Sequence, residues 1–233
     1  MLATTSTAFL PAVAVIIPCY NEAAAIGTVV ANFRAALPAA TVYVYDNNST
    51  DGSAEIARAA GATVRREPRQ GKGFVVRRMF ADIEADIFVM VDGDDTYEAA
   101  AAARMVQRMA DEGLDVVNGV RVPVATGVYR PGHAFGNRML SGMVRLLFGQ
   151  GHRDMLSGYR VFSRRFVKSF PAMSSGFEIE TELTIHALEL QMPAAEEPTA
   201  FKDRPEGSES KLNSVSDGLR ILFTITRLLK QAA

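Results

Sequence analysis

The ordered pattern of the chain opens at Val13-Ala14-Val15-Ile16-Ile17, an apolar run stopped by Pro18. A short run that is apolar on both faces predicts a strand covered on both sides. Polar Asn21-Glu22 follows. Apolar residues then recur at Ile26, Val29, Val30 and Phe33, the 3.6-residue spacing of a helix from Ala23 to Leu37. The alternation continues with a strand at Val42–Tyr45, a polar turn at Asp46–Ser53, and a helix through Ala60 whose end Gly61 marks. Next come a short strand at Ala62–Arg66 and a helix opened by Arg69-Gln70-Gly71-Lys72-Gly73 and running to Ile83. Ile87-Phe88-Val89-Met90-Val91 predicts another buried strand, Tyr97–Ala110 a helix and Asp115–Val120 a strand. Strands and helices in alternation, with short connections, predict an α/β fold: a mostly parallel central sheet with helices on both faces.

The rhythm changes after Arg121. The pattern gives a loop at Val122–Pro131, a helix at Gly132–Phe148, a polar turn at Gly151–Ser157 and a strand at Gly158–Phe162. A helix at Phe177–Leu190 follows, then a strand at Ala194–Phe201 that its prolines assign to a sheet edge. Lys202–Asn213 is a Gly/Ser/charge-rich loop, and Ser216–Lys230 is a final helix. No internal repeat or long linker interrupts this order. The expected organisation is therefore a flexible tail at 1–12 and a single domain at 13–233, with one functional half at 13–120 and another at 121–233. The final helix sets Leu219, Leu222, Phe223, Ile225 and Leu229 against Arg220, Arg227 and Lys230. Such a face can pack on the core, form a homodimer, or lie on an anionic membrane surface.

Composition narrows the classes. With 48% hydrophobic residues and a net charge of −1, the chain can bury a core and carries no bulk attraction for nucleic acid. Its one cysteine, Cys19, has no partner for an internal disulfide and lies in an apolar run, which suits a buried thiol. The first twelve residues hold no Lys or Arg, unlike a signal peptide. No run reaches the roughly 18 apolar residues of a membrane-spanning helix. A cytoplasmic protein is expected, with peripheral contact at the inner face of the membrane as the one membrane role left open. His133, His152 and His186 lack zinc-site spacing.

The densest chemistry is Asp92-Gly93-Asp94-Asp95-Thr96, directly after the strand at Ile87–Val91. Ligands in open α/β sheets bind beyond the carboxyl ends of strands. In extended backbone, residues i and i+2 share a side, so Asp92 and Asp94 can converge on one cation while Asp95 faces elsewhere. A solvated acidic turn is the alternative reading.

Four stretches stand in order: Ile16-Ile17-Pro18-Cys19-Tyr20-Asn21-Glu22, the Asp46-to-Ser53 turn, Asp92-Gly93-Asp94, and Asp154-Met155-Leu156-Ser157-Gly158-Tyr159-Arg160. Together they resemble the inverting family 2 glycosyltransferases of GT-A fold. Within them the likeness is to the dolichyl-phosphate mannosyltransferase and polyprenyl-phosphate glycosyltransferase group, from Val13 to Leu229. The resemblance implies a sugar transfer from a nucleotide diphosphate donor to a polyprenyl phosphate, in cell envelope glycan synthesis. It implies that Pro18, Tyr20, Glu22, Asp46 and Asn47 line the nucleotide pocket, with Gly93 giving close approach. Asn47 stands where the commonest family pattern has a second Asp. Guanine offers two adjacent donors that suit a carboxylate, whereas uracil offers a donor flanked by acceptors that an amide can match. On that ground Asn47 favours a UDP-sugar over GDP-mannose, unless the amide only stabilises its turn.

By the same resemblance Asp92 and Asp94 hold Mg2+ or Mn2+ against the donor diphosphate, an arrangement of hard oxygen ligands that suits those ions. Thr96 is a weaker candidate ligand. Lys72, at a helix start, adds a cation for phosphate or sugar. Arg121 and Arg138 match arginines that take the acceptor phosphate, and an arginine fork suits that group. Asp94 and Asp154 are the implied catalytic residues, with Asp154 often assigned as a base. A phosphate monoester is already ionised near neutral pH, so Asp154 could equally position the acceptor. Arg204 and Lys211 sit in a loop expected to act as a lid that excludes water. Among Glu178, Glu180 and Glu182, one could face the sugar. Two rivals remain: a transferase acting on a saccharide hydroxyl, which does need a base, and an inactive nucleotide-sugar-binding regulator.

Overall fold

The computed structural model describes residues 11–124, 133–149, 153–211 and 214–232. Residues 1–10 of the expected tail, 125–131 of the expected loop, His152 and the side chain of His133 lie outside the described residues. Seven strands form one sheet: β1 Val13–Cys19, β2 Thr41–Asp46, β3 Thr63–Arg66, β4 Ile87–Met90, β5 Val116–Pro123, β6 Arg160–Ser163 and β7 Ala194–Phe201. Their spatial order is β3-β2-β1-β4-β6-β5-β7. All neighbouring pairs are parallel except those of β6, which runs antiparallel to β4 and to β5.

That one reversed strand decides where the site forms. Met90, the last residue of β4, pairs with Arg160, the first residue of β6, and Arg160 also pairs with Asn118 of β5. The turn entering β6 therefore arrives at the same sheet edge as the turns leaving β1, β2, β4 and β5. The apolar runs are buried on both faces as their sequence demands. Val15, Ile17, Val89 and Val91 face one helical layer, α1 Ile26–Ala36 and α4 Ala101–Glu112, through Val29, Phe33, Met105 and Met109. Ala14, Ile16, Phe88 and Met90 face the other, α3 Lys72–Asp82, α6 Arg164–Ser169 and α7 Ile179–Glu189. The alternation follows from the two-residue period of a strand. The remaining helices are α2 Ser53–Ala59, α5 His133–Phe148 and α8 Ser214–Ala232.

Some boundaries differ from the sequence expectation. Tyr97 does not start α4; it bridges to Phe201, with ring centroids 5.2 Å apart, and buries its ring beside Tyr159. The short α6 lacks the length to show periodicity, although Ser163 caps it by accepting the Phe166 N–H at 3.1 Å. In α8, Ile221, Ile225 and Leu228 pack with Leu140 and Val144 of α5 and Ile185 of α7, while Leu219 and Phe223 are exposed. The expected apolar face is thus divided between the core and solvent. No helix among the described residues is long and apolar enough to cross a membrane. Cys19 is buried, and burial pushes its thiol up to about 12, which leaves it inert at neutral pH.

Candidate active site

The β4 exit does not continue in extended form: the chain turns at Gly93-Asp94. Asp92 and Asp94 nevertheless stay within electrostatic reach, and the charge of Asp92 acts on Asp94. Each is met by a different cation. Asp92 Oδ1 lies 2.5 Å from the Lys72 ammonium, and Asp94 Oδ2 lies 2.6 Å from Arg204 Nη2. Asp94 Oδ1 also accepts the Thr96 hydroxyl at 2.7 Å and the Thr96 N–H at 3.2 Å, so Thr96 fixes the carboxylate. Asp95 faces away and pairs with Lys202 at 2.6 Å. Burial and the neighbouring Asp92 push the Asp94 carboxyl above its ordinary pKa, against the pull of Arg204. Two neighbouring carboxylates, Asp94 buried and Asp92 part-buried, in charge conflict make a place where a divalent cation is welcome.

Space for Asp92 comes from a residue with no side chain. A Cβ on Gly158, at the entry to β6, would fall 2.6 Å from Asp92 Cγ and 2.8 Å from Oδ1, and closer still to Oδ2. A Cβ on Gly93, by contrast, would fall 3.3 Å from Ile26 Cδ1 and 3.5 Å from Ile17 Cγ2, a tight fit that a small shift of the Ile26 side chain would relieve.

Lys72 is held where its loop dictates. It is the first residue of α3, after Gly71 at φ +137°, a conformation side chains rarely adopt. Gly71 and Gly73 press against the backbone at Ser174 and Ser175, where no Cβ would fit, and the Gly73 N–H donates to Ser175 O at 3.0 Å. The Lys72 ammonium is shared between Asp92 and Glu180 Oε1, each at 2.5 Å. Burial works to lower its pKa, but these two carboxylates outweigh burial and hold the lysine charged. The Lys72–Glu180 contact is not legible in the sequence, where three glutamates in a first helical turn suit the dipole and offer one candidate to face the sugar. Of these, Glu182 accepts the N–H groups of Met173 and Ser174, and Glu178 those of Ser175 and Gly176. Both are backbone anchors.

Asn47 anchors the same loop from the other side. Its Nδ2 donates to Glu67 O at 2.9 Å and Arg69 O at 2.7 Å, and its Oδ1 accepts the Gly71 N–H at 2.7 Å. Both amide hydrogens are used, so the two-sided match to uracil expected from the sequence is not available in this arrangement. Asp46 is buried and accepts the Ser49 N–H at 3.3 Å, which shapes the turn. Pro18 is part-buried at the end of β1, and Tyr20 is exposed at the adjoining edge. Glu22 is buried and carries the closing loop: its Oε2 accepts the Ser208 hydroxyl at 2.8 Å, with Arg204 at 3.6 Å and Lys211 at 3.7 Å from Oε1. Burial pushes its carboxyl up, partly offset by Ser208 and the two cations. Lys211 also donates to Asn21 O at 2.9 Å. Arg204 and Lys211 thus fasten residues 202–211 over the carboxylate pair.

In the second half, Asp154 is saturated. Its Oδ2 accepts Arg121 Nε at 2.8 Å and the Arg121 N–H at 3.1 Å. Its Oδ1 accepts Arg121 Nη2 at 2.6 Å and Asn137 Nδ2 at 2.8 Å. Burial would raise the carboxyl, but the Arg121 guanidinium outweighs it and holds the group below the usual carboxylate range. Arg121 also lies over the Phe201 ring at 5.4 Å. Arg138 is exposed on α5, one residue from Asn137.

The sequence profile of glycosyl transferase family 2 matches residues 14–170. The chain belongs to glycosyl transferase family 2. Glycosyltransferase AglJ of Haloferax volcanii is 37% identical over 221 residues, covering 94% of this chain and 72% of that protein. The dolichyl-phosphate hexose transferase of the same organism is 26% identical over 92% of both chains. Among solved structures, glucosyl-3-phosphoglycerate synthase from Mycobacterium tuberculosis, in complex with Mn2+, UDP-glucose and phosphoglyceric acid, superposes with a TM-score of 0.75 at 22% identity. That match covers 94% of this chain and 80% of the synthase. The GT-A architecture of this family 2 glycosyltransferase therefore agrees with the sequence expectation, as does its membership of a transferase family.

Proposed function

We propose that this glycosyltransferase transfers a sugar from a nucleoside diphosphate donor to a polyprenyl phosphate, with Mg2+ or Mn2+ bound at Asp92 and Asp94. The donor set fits such an ion: two hard carboxylates are present, and no group of three or more candidate ligands occurs among the described residues. An ion held by one or two carboxylates completes its shell with substrate phosphate oxygens. When bound, it would neutralise charge on the departing diphosphate. Lys72 and Arg204 lie beside the same carboxylates and would hold the diphosphate oxygens, with Lys211 fastening the loop that excludes water. Glu22, Asp46, Asn47, Pro18, Tyr20 and Gly93 border the edge where the nucleoside would lie. In the single step, an acceptor phosphate oxygen forms a bond to the anomeric carbon as the bond to the diphosphate breaks, with inversion. Residues 13–120 then serve the donor and residues 121–233 the acceptor, except that Arg204 and Lys211 reach back to the donor side.

The observation that carries the acceptor class is the bonding of Asp154. A carboxylate with both oxygens in bonds to Arg121 and Asn137, and with a lowered pKa, is a poor base. A hydroxyl acceptor needs a base; an ionised phosphate does not. Asp154 instead sets the fork of Arg121, which with Arg138 would receive the acceptor phosphate. The relative named dolichyl-phosphate hexose transferase supports this reading. Asp154→Asn tests it. Loss of a general base costs ~10²–10⁴-fold in kcat, whereas loss of a positioning partner should raise KM for the acceptor and lower kcat by no more than about tenfold. A collapse of kcat, with KM unchanged, would assign Asp154 as a base and favour a hydroxyl acceptor.

A further inference from the structure

Lys72 has two counterions where one would serve. Its ammonium lies 2.5 Å from Asp92 Oδ1 and 2.5 Å from Glu180 Oε1, and only 9% of the side chain is exposed. Glu180 is 4% exposed, and its Oε2 has no hydrogen-bond partner among the described residues. A buried carboxylate is costly unless paired, and the pair this one makes is with Lys72. The contact is built into the fold. Gly71 and Gly73 seat the start of α3 on the backbone of 174–175, and Glu182 on α7 pins that backbone through Met173 N and Ser174 N. The start of α7 therefore fixes both Lys72 and the glutamate that receives it.

Asp92 has two partners to serve, Lys72 and the divalent ion. Were Asp92 the sole partner of a buried ammonium, turning it toward the ion would strand that charge. With Glu180 present, the lysine keeps an ion pair when Asp92 leaves. We infer that Glu180 is a positioning residue that retains Lys72 beside the donor phosphates and thereby releases Asp92 to the divalent ion. The inference rests on the reading that Asp92 is a metal ligand, and it makes Glu180 an indirect determinant of metal affinity without touching the ion.

The test is Mn2+ binding, followed by the loss of its free electron paramagnetic resonance signal with UDP present, in the wild type, Glu180→Gln, Lys72→Met and the double variant. Glutamine keeps the shape but not the charge, so Asp92 becomes the one counterion of Lys72. Glu180→Gln should weaken Mn2+ binding about tenfold, at the low end of the range for residues behind a metal ligand. At saturating UDP the double variant, with no ammonium left to hold Asp92, should bind Mn2+ as Lys72→Met does and more tightly than Glu180→Gln. A merely structural glutamate would leave the double variant as weak as Glu180→Gln or weaker. The inference is overturned if Glu180→Gln binds Mn2+ as the wild type does, or if the double variant fails to recover. A wild type that binds no Mn2+ would instead sink the metal-dependent reading itself, and the inference with it.

Discussion

Gly158→Ala isolates the part of the site that the sequence does not advertise. The added methyl would fall 2.6 Å from Asp92 Cγ and 2.8 Å from Oδ1. Every atom of the carboxylate lies inside the 3.0 Å that real Cβ contacts respect, so it must swing by roughly 1 Å or more for ordinary van der Waals contact. The backbone at Gly158 is not in the left-handed region, so alanine costs no conformational strain there. The Asp92 side chain is 28% exposed and has somewhere to go. The stability cost should therefore fall near the low end of overpacking, ~1 kcal/mol, or about 2–4 °C in Tm for a chain of this size. The site loses more. Swinging Asp92 breaks its 2.5 Å contact with Lys72 and moves the proposed metal ligand, for which a loss of Mn2+ affinity of roughly 10–100-fold is the ordinary scale, ~1.4–2.8 kcal/mol. Thermal melts and Mn2+ titration of the same sample separate the two effects. A variant that melts slightly early but binds Mn2+ and donor as tightly as the wild type would refute the placement of Asp92.

Three further outcomes follow from the geometry. Asp154→Asn should destabilise the fold at neutral pH by about 1–3 kcal/mol, the scale of losing a charged hydrogen-bond partner. The lowered carboxyl pKa gives a stabilising contribution that is present above the unfolded value of about 4 and is lost as pH falls through the folded value. The gap between the wild-type and Asp154→Asn melting curves should therefore narrow as pH falls below about 4, and a gap that does not change with pH would count against the Arg121 pairing. Asn47→Asp should destabilise more than Asn47→Ala, because a carboxylate would face the Glu67 and Arg69 carbonyl oxygens that now accept from the amide. Hydrogen exchange at 67–73 and denaturant titration read this; an Asn47→Asp variant as stable as wild type would place the amide elsewhere. Arg204→Ala should expose the 202–211 loop to trypsin at Lys211, since the loop loses its 2.6 Å tie to Asp94; unchanged cleavage would show that Ser208 and Lys211 suffice to hold it.

Much of the frame was legible from apolar periodicity, and the reasons it fell short are local. The runs at Val13, Val42 and Ile87 read as strands because both faces are covered, and Gly71-Lys72-Gly73 marked a helix start where α3 begins. The reversal of β6 was not legible: Arg160-Val161-Phe162 would read the same in either direction, and its antiparallel pairing is a property of the sheet. Yet that reversal brings Asp154 and Gly158 to the edge holding Asp92. Asn47 kept two readings in the sequence because its partners lie 20 and more residues along the chain, so a bonded amide and a free one look alike there. Asp154 and Arg121 were each singled out, but their mutual bonding, which changes the role of both, spans 33 residues. The glutamates of α7 show the limit best. Spacing alone placed them in one helical turn, but only the packing of α3 against α7 shows that Glu182 holds backbone while Glu180 holds a lysine.

The central claim is transfer to a phosphate. The direct measurement is a turnover panel with Mn2+ or Mg2+, pairing UDP- and GDP-sugars with a short polyprenyl phosphate, with a free saccharide, or with no acceptor. The account predicts metal-dependent glycosylation of the lipid phosphate, abolished by chelation and by Asp94→Asn, with one of the two nucleotides productive. Transfer to the saccharide with none to the lipid phosphate, or donor binding with no transfer to either, would contradict it.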